Sequence, residues 1–175
     1  GEVAIDHLLV EQATEGIIQL ADGCICCTVR GDLVDTLADL IDRLTDGRIA
    51  RLSRIVVETT GLADPAPVLQ SIMGHPVLLQ ALRLDGVIAV VDAVHGEAAL
   101  DGHEEAVRQV AMADRIVLTK ADLATPQQVA SLRTRLAALN PRAAVRDVAS
   151  AGGAELLACG LYDPATKTAD VARWL

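Results

Sequence analysis

Aromatic side chains are almost absent from this chain, which contains no phenylalanine, one tyrosine and one tryptophan in 175 residues. The core must therefore be aliphatic, and the aromatic platforms on which single-stranded nucleic acid stacks are excluded. A net charge of −9 also disfavours a phosphate backbone as partner. No apolar run approaches the about 18 residues of a membrane-spanning helix, and no signal peptide is recognisable. We therefore expect neither nucleic acid nor a membrane as partner.

The remaining composition is typical of a single folded domain over residues 1–175. Hydrophobic residues make up 51% of the chain and charged residues 22%, a balance found in globular proteins and not in disordered segments. The chain is long enough to bury a real core. Three of its four cysteines are clustered, which favours a reducing compartment, so we expect a cytoplasmic protein.

The cysteine cluster is the segment Gly23-Cys24-Ile25-Cys26-Cys27. Thiolates are soft ligands suited to Zn²⁺, Cu⁺ or iron–sulfur chemistry, and this spacing can direct at least two sulfurs at one ion. A disulfide is a competing use, although one intervening residue is a poor span for unstrained geometry. Burial of the cysteines as small hydrophobic residues is a second alternative. Three cysteines beside a glycine favour metal or redox chemistry.

Apolar periodicity predicts strands that alternate with helices. Strands are predicted at 16–20, 53–58, 84–92, 115–118 and 143–148, the one at 53–58 buried on both faces. Helices are predicted at 33–44 with Asp32 as cap and Gly47 just past the end, and at 65–72, 104–112, 125–139 and 154–157. This alternation predicts an α/β fold with a mostly parallel sheet and helices on both faces.

Polar residues follow three of these strands, at the edge where such sheets bind ligands. Glu58 and Gly61 follow the first; a carboxylate there can hold a Mg²⁺-bound water and a glycine can bring its N–H close to a phosphate, or both can belong to an ordinary turn. Asp92 ends the second strand and either orients a magnesium water or merely finishes the strand, the reading we favour. Both sites therefore stay open at this point.

The third strand ends as Thr119-Lys120-Ala121-Asp122, which resembles the Asn-Lys-x-Asp guanine signature of GTPases. A carboxylate can accept from both N1–H and the 2-amino group of guanine, while the lysine stem covers the ring. Ser150 and Ala151 follow the next strand, where GTPases often offer backbone N–H groups to the guanine oxygen. This arrangement predicts guanine-nucleotide binding.

These motifs occur in one order: Gly-Glu-Val-x-Ile-Asp-His, Gly-Cys-Ile-Cys-Cys, Glu-Thr-Thr-Gly-Leu-Ala-Asp-Pro, Val-Val-Asp-Ala-Val-His and Thr-Lys-x-Asp. The series resembles the CobW-type GTPases, relatives of the GTPases that assist nickel insertion into urease and hydrogenase. The resemblance implies a P-loop NTPase-like three-layer sandwich, GTP and Mg²⁺ as cofactors, and hydrolysis coupled to delivery of zinc or cobalt to a recipient protein.

The resemblance also implies roles for individual residues. Cys24, Cys26 and Cys27 would be metal ligands, with Glu2 as an accessory ligand. Glu58 and Gly61 would sense Mg²⁺ and the γ-phosphate. Lys120 and Asp122 would select guanine, and Thr119 stands where Asn is usual, a variant also found within the family.

One family motif has no match in this chain. Lysine occurs only at positions 120 and 167, so no frame supplies the Gly-x-x-x-x-Gly-Lys-[Ser/Thr] loop that cradles phosphates. We expect a domain that lacks its first strand, this loop and its first helix. We also expect this chain to bind GTP weakly and to self-associate through exposed strand edges. A non-enzymatic cysteine-cluster metal module and an inactive GTPase fragment remain alternatives.

Overall fold

The computed structural model of this protein describes residues 28–59, 61–157, 159–160, 162–163, 165, 167, 171 and 174. Within them, strands and helices alternate along the chain. The strands are β1 (Ile88–Asp92), β2 (Arg115–Thr119) and β3 (Ala144–Asp147). The helices are α1 (Thr28–Thr45), α2 (Pro65–Gly74), α3 (Pro76–Ala81), α4 (Gly96–Gly102), α5 (Glu104–Met112), α6 (Pro126–Leu139) and α7 (Gly153–Leu157).

The three strands form one parallel sheet in the order β1-β2-β3. Its register places Val90 beside Val117 and Asp92 beside Thr119. On the other side of β2, Leu118 lies beside Asp147. Because all three strands run in the same direction, their carboxyl ends meet at one edge of the sheet. The predicted α/β fold with a parallel sheet is confirmed.

The core on one face of this sheet is entirely aliphatic, as the scarcity of aromatic residues predicts. Ala89, Val91, Ile116 and Leu118 of the strands pack there against side chains of α4, α5 and α6. Leu132 and Leu136, one turn apart on α6, are both fully buried. Truncation of such a leucine to alanine typically costs about 2–5 kcal/mol. This cluster fixes the sheet against the three helices.

The contact between α4 and the sheet requires glycine at position 96. A Cβ there would lie 2.8 Å from Cγ1 of Val91 and 3.1 Å from Cδ2 of Leu132. Both neighbours belong to the buried cluster, so neither can move without opening a void. Gly96 therefore lets the first turn of α4 lie directly on β1, close to the strand end that carries Asp92.

A second group of helices packs beside this unit. The apolar stripe of α1 contributes Leu33, Leu37 and Ile41 to a cluster with Val68 and Leu78, as the predicted periodicity requires. The helix begins at Thr28, so the prediction that Asp32 caps it is wrong: no proline interrupts the residues before Asp32, and a single glycine is tolerated inside a helix. Gly47 follows the helix with φ of 75°, a left-handed conformation that glycine adopts at low cost.

The prediction of a doubly buried strand at 53–58 is wrong. These residues belong to no ladder of the described sheet, and Val56 and Val57 are 70% and 41% exposed. A β-branched run becomes a strand only where a neighbour accepts its backbone hydrogen bonds, and none of the described strands lies beside it. The predicted strand at 84–92 is shorter, beginning at Ile88, and the strand predicted at 16–20 lies outside the described residues.

The capping signal at the start of α6 is confirmed. The Thr125–Gln128 capping box forms as predicted, with Thr125 N–H donating to Oε1 of Gln128 at 2.8 Å and Gln128 N–H to Oγ1 of Thr125 at 3.2 Å. The short helices α3 and α4 were not predicted, because six or seven residues carry too little periodicity. Within the described residues, no helix combines the length and apolar character needed to cross a bilayer.

Candidate functional site

Polar residues gather where the three strands end. Asp92 is the last residue of β1, Thr119 is the last of β2 and precedes Lys120, and Asp147 is the last of β3. Because Asp92 and Thr119 are register partners, the loops that follow β1 and β2 begin side by side. This edge is the place where parallel α/β sheets bind ligands.

Asp92 is the hub of this edge. Its Oδ1 accepts the backbone N–H of Val94 at 2.7 Å and of His95 at 3.1 Å. Its Oδ2 accepts a hydrogen bond from Nζ of Lys120 at 2.7 Å and lies 3.2 Å from Nδ1 of His95. The Lys120 ammonium, followed by the Val94 and His95 donors, holds the pKa of the Asp92 carboxyl far below its ordinary value. The carboxylate is therefore ionised and already satisfied, and with a cation beside it, it does not fit a magnesium ligand.

The loop after β2 is tight and aims its polar residues outward. Lys120 has a φ of 56°, which is the one positive φ of a non-glycine residue in the described part of the chain. Such strained backbone costs about 1–3 kcal/mol and concentrates at functional sites. Thr119 holds the loop to β1, since its hydroxyl donates to Val91 O at 3.3 Å and its carbonyl accepts Ala93 N–H at 2.9 Å. The left-handed residue turns the chain so that Lys120 and Asp122 are both exposed.

Asp122 differs from Asp92 in having its carboxylate free. No described residue forms a hydrogen bond or ion pair with its side chain, which is exposed to solvent. Both carboxylate oxygens can therefore accept from an incoming ligand. A pair of donors on one ligand edge, as on guanine, matches this geometry.

Ser150 and Ala151 follow β3, as predicted, but their backbone donors are in use. Both N–H groups lie 3.0 Å from the carbonyl oxygen of Asp147, which the Ser150 hydroxyl also contacts at 3.1 Å. The Asp147 carboxylate in turn accepts from Arg133 of α6 at 2.6 Å. In this structure the two predicted donors to a guanine oxygen therefore form a turn against the strand end.

Glu58 and Gly61 belong to the segment that precedes α2. Glu58 is exposed. Gly61 and Leu62 line a cavity of about 170 Å³ together with Asp92 and His95. The Gly61 loop and Asp92 therefore line the same cavity.

Two residues that sequence reasoning missed hold this loop. Gln109 of α5 donates from Nε2 to Gly61 O at 3.0 Å and to Ala63 O at 2.9 Å. Arg108, the preceding residue, bonds the carboxylate of Asp64, whose other oxygen caps α2 through Ala66 N–H at 2.9 Å. The sole signal in the sequence for these contacts was the presence of long polar residues between Ala106 and Val110, which are buried.

The predicted metal ligands Cys24, Cys26, Cys27 and Glu2 lie outside the described residues. The fourth cysteine, Cys159, is a free thiol, and burial raises its pKa. In the described part of the chain, no three His, Cys, Asp or Glu side chains converge on a metal-sized site. The described residues therefore include those predicted for nucleotide binding and none of those predicted to bind zinc.

Comparison with known proteins assigns the chain to a family. Residues 1–147 match the family model described as CobW/HypB/UreG, nucleotide-binding domain. The zinc chaperone YjiA of Escherichia coli is 45% identical over 148 residues, covering 85% of this chain and 46% of that protein. The zinc chaperone CobW of Pseudomonas aeruginosa is 32% identical, with 87% and 47% covered.

The fold is shared as well. The crystal structure of Zn(II)-bound YjiA GTPase from Escherichia coli superposes with a TM-score of 0.69 at 42% identity, covering 75% of this chain and 41% of that one. The chain thus spans about half the length of the curated relatives it matches. The predicted P-loop GTPase-like fold is confirmed by this likeness. The chain belongs to the CobW/HypB/UreG family and carries its nucleotide-binding domain.

Proposed function

We propose that this chain is the guanine-nucleotide-binding domain of a GTP-hydrolysing zinc metallochaperone. The observation that carries the proposal is the end of β2, where a strained turn exposes Lys120 and a free Asp122 beside the ion-paired Asp92. Relatives named as zinc chaperones, and a zinc-regulated GTPase metalloprotein activator of Schizosaccharomyces pombe that is 29% identical over 131 residues, support the metal side.

The base would be selected by Asp122. Its carboxylate accepts N1–H and the 2-amino group of guanine, and each charge-assisted hydrogen bond is worth about 1.5–3 kcal/mol. Adenine lacks this pair of donors. The stem of Lys120 would cover the ring while Asp92 holds its ammonium, and Thr119 ties the loop to β1. Ser150 and Ala151 would complete the base pocket once their N–H groups turn from Asp147 towards the guanine oxygen.

The phosphate side would involve Glu58 and Gly61. Glu58 offers an exposed hard oxygen ligand, which fits a magnesium-bound water, whereas the carboxylate of Asp92 is already occupied. When bound, Mg²⁺ would supply charge neutralisation at the β- and γ-phosphates. Gly61 would lie close to the γ-phosphate through its bare backbone. Hydrolysis yields GDP and inorganic phosphate.

Zinc would be the cargo of the domain. The three thiols of Cys24, Cys26 and Cys27 and the carboxylate of Glu2 form a donor set that fits tetrahedral Zn²⁺ or Co²⁺. Thiolate ligands require reduced cysteines, which supports the cytoplasm as compartment. A metal-recipient protein would be the partner. The exposed Val56 and Val90, at 70% and 68%, support self-association.

Base selection tests the nucleotide side. We expect guanosine nucleotides at millimolar concentration to perturb the NMR signals of residues 119–123, and Asp122→Asn to shift preference from guanine to xanthine, whose 2-oxo group accepts a hydrogen bond from the new amide. Asp35→Asn, an exposed change on α1, is the matched control. Absence of perturbation in the wild-type chain, or unchanged preference in Asp122→Asn, would rule out the assignment. Phosphate release from GTP separates a GTPase from a non-enzymatic metal module.

Cobalt titration tests the metal side. The reduced chain should show thiolate-to-cobalt charge-transfer absorption with a stoichiometry of one ion, and Cys26→Ser should weaken binding strongly. Cys159→Ser, which changes the one cysteine outside the cluster, should leave the spectrum unchanged. If serine at positions 24, 26 and 27 together left affinity and spectrum unaltered, the zinc site would lie elsewhere.

A further inference from the structure

The loop that carries Gly61 is held by α5 at two successive residues. Gln109 uses one amide nitrogen to contact the carbonyls of Gly61 and Ala63, at 3.0 and 2.9 Å. A side-chain amide has two N–H donors, so one hydrogen serves each carbonyl. Arg108 bonds Asp64, the residue that caps α2. The loop is therefore fixed between the end of α5 and the start of α2.

Helix α5 is a rigid reference for this attachment. Ala106 and Val110 are buried in the core cluster of the sheet, and Ala111 and Met112 are buried in a second cluster with Ala66 and Leu69 of α2. Gln109, between these anchored residues, is half-buried. Movement of the Gly61 loop away from α5 would break both carbonyl contacts.

Neither packing nor backbone conformation accounts for glycine at position 61. A Cβ added there would lie in open space, and its φ is outside the left-handed region that glycine favours. Space above the loop is instead the cavity of about 170 Å³ that it shares with Asp92 and His95. A residue without a side chain at such a wall allows close approach of a ligand to the backbone.

We propose that Gln109 is a positioning residue for nucleotide-state sensing. Its amide sets the conformation of the backbone at Gly61, so that a γ-phosphate binds a preformed loop, while GDP does not reach it. This inference rests on the proposed function, in which Gly61 meets the γ-phosphate. Preorganised backbone donors gain affinity because the loop does not have to be ordered on binding.

Two measurements on the 175-residue chain test the role. In Gln109→Leu, which removes both donors at similar size, amide hydrogen exchange of residues 61–63 should accelerate about tenfold or more without nucleotide. Gln109→Glu, which presents a carboxylate to both carbonyls, should have the same effect. Gln127→Leu, on the exposed surface of α6, is the matched control. Unchanged exchange in both Gln109 variants would overturn the proposal.

The second measurement compares GTP with GDP in the presence of Mg²⁺. Gln109→Leu should lower the affinity for GTP by about tenfold and leave the affinity for GDP unchanged. The loss of one hydrogen bond between a backbone N–H and the charged γ-phosphate changes affinity by about this factor. A merely structural role would weaken both nucleotides equally, and this outcome, like an unchanged ratio, would overturn the inference. Because weak binding is expected of this chain, both nucleotides are titrated to millimolar concentration. Failure of the wild-type chain to bind either nucleotide there would remove the proposed function, and the sensing role with it.

Discussion

Each of the two lysines of the chain forms an ion pair with an aspartate, and the two pairs lie at opposite ends of β2 in contrasting surroundings. Lys120 follows β2 and binds Asp92 at 2.7 Å, with side chains 55% and 25% exposed. Lys167 binds Asp114, just before β2, with side chains 6% and 19% exposed. Its ammonium also donates to Ala113 O at 3.1 Å and lies 5.0 Å from the Tyr162 ring.

The difference shows which pair a ligand can exchange. An exposed ion pair contributes about 0.2–1 kcal/mol, because water solvates the separated groups almost as well. Removal of one partner from a buried pair costs about 3–5 kcal/mol, because a charge is left without compensation. The pair at the carboxyl edge can thus rearrange around a ligand at low cost, and the pair at the amino edge fastens Lys167 to the sheet.

The largest expected effect is that of Lys167→Met. We expect a loss of about 3 kcal/mol in the free energy of unfolding, because among the described residues Asp114 would keep only the Val87 N–H as hydrogen-bond donor. Urea unfolding monitored by circular dichroism measures it. A loss no greater than that of Lys120→Met would contradict the contrast between the two pairs.

Tyr162 reports on the surroundings of the buried pair. Burial, and then the charge of Asp114, raises the pKa of its phenol from 10.0 to about 12. The neutral phenol therefore contributes stability that is fully present below pH 10 and is lost as the pH rises through about 12. As the chain has one tyrosine, its phenolate absorbance can be followed directly during an alkaline titration. An ionisation midpoint at pH 10 in the folded protein would show that the ring is solvated.

Asp92→Asn tests the exposed pair and its pH dependence. We expect a loss of about 1 kcal/mol at neutral pH, since Asn keeps an acceptor for the Val94 and His95 N–H groups but loses the charge. The pKa of Asp92 is lowered in the folded protein, so its contribution is present above the ordinary value of 3.8 and is lost as the pH falls below it. Unfolding curves should show that the difference in stability between wild type and variant begins to shrink as the pH falls from 3.8 to 3. A difference that stays constant over this range would contradict the ionic origin.

Lys120→Met should have the smallest effect on stability, about 0.5 kcal/mol. Methionine keeps most of the apolar stem, and Asp92 keeps its two backbone donors. Thermal unfolding measures the change, and guanosine titration followed by NMR measures base binding in the same sample. Since the stem would cover the base in the proposed site, we expect a modest loss of binding, smaller than that caused by Asp122→Asn. A stability loss as large as that of Lys167→Met would show that the exposed pair is structural.

Signals that lie within one element were readable from the sequence. The bounds of α5, Glu104–Met112, are those predicted, and the capping box of α6 is formed by the residues named for it. Alternation of strands and helices was enough to predict the parallel sheet. Parallel pairing then places Asp92, Lys120 and Asp122 at one edge. Helix propensity, capping and strand direction depend on neighbours in the chain, so a single sequence determines them.

Contacts between elements were decided by the tertiary structure. The sequence left the role of Asp92 open, and its partner Lys120 lies 28 residues away. Gln109 contacts a carbonyl 48 residues away, and no local pattern marks it. The run at 53–58 has strand composition but no strand beside it among the described residues. Which side chain meets which carbonyl depends on the register and packing of whole elements, because backbone groups distant in the chain become partners only when the core sets their separation.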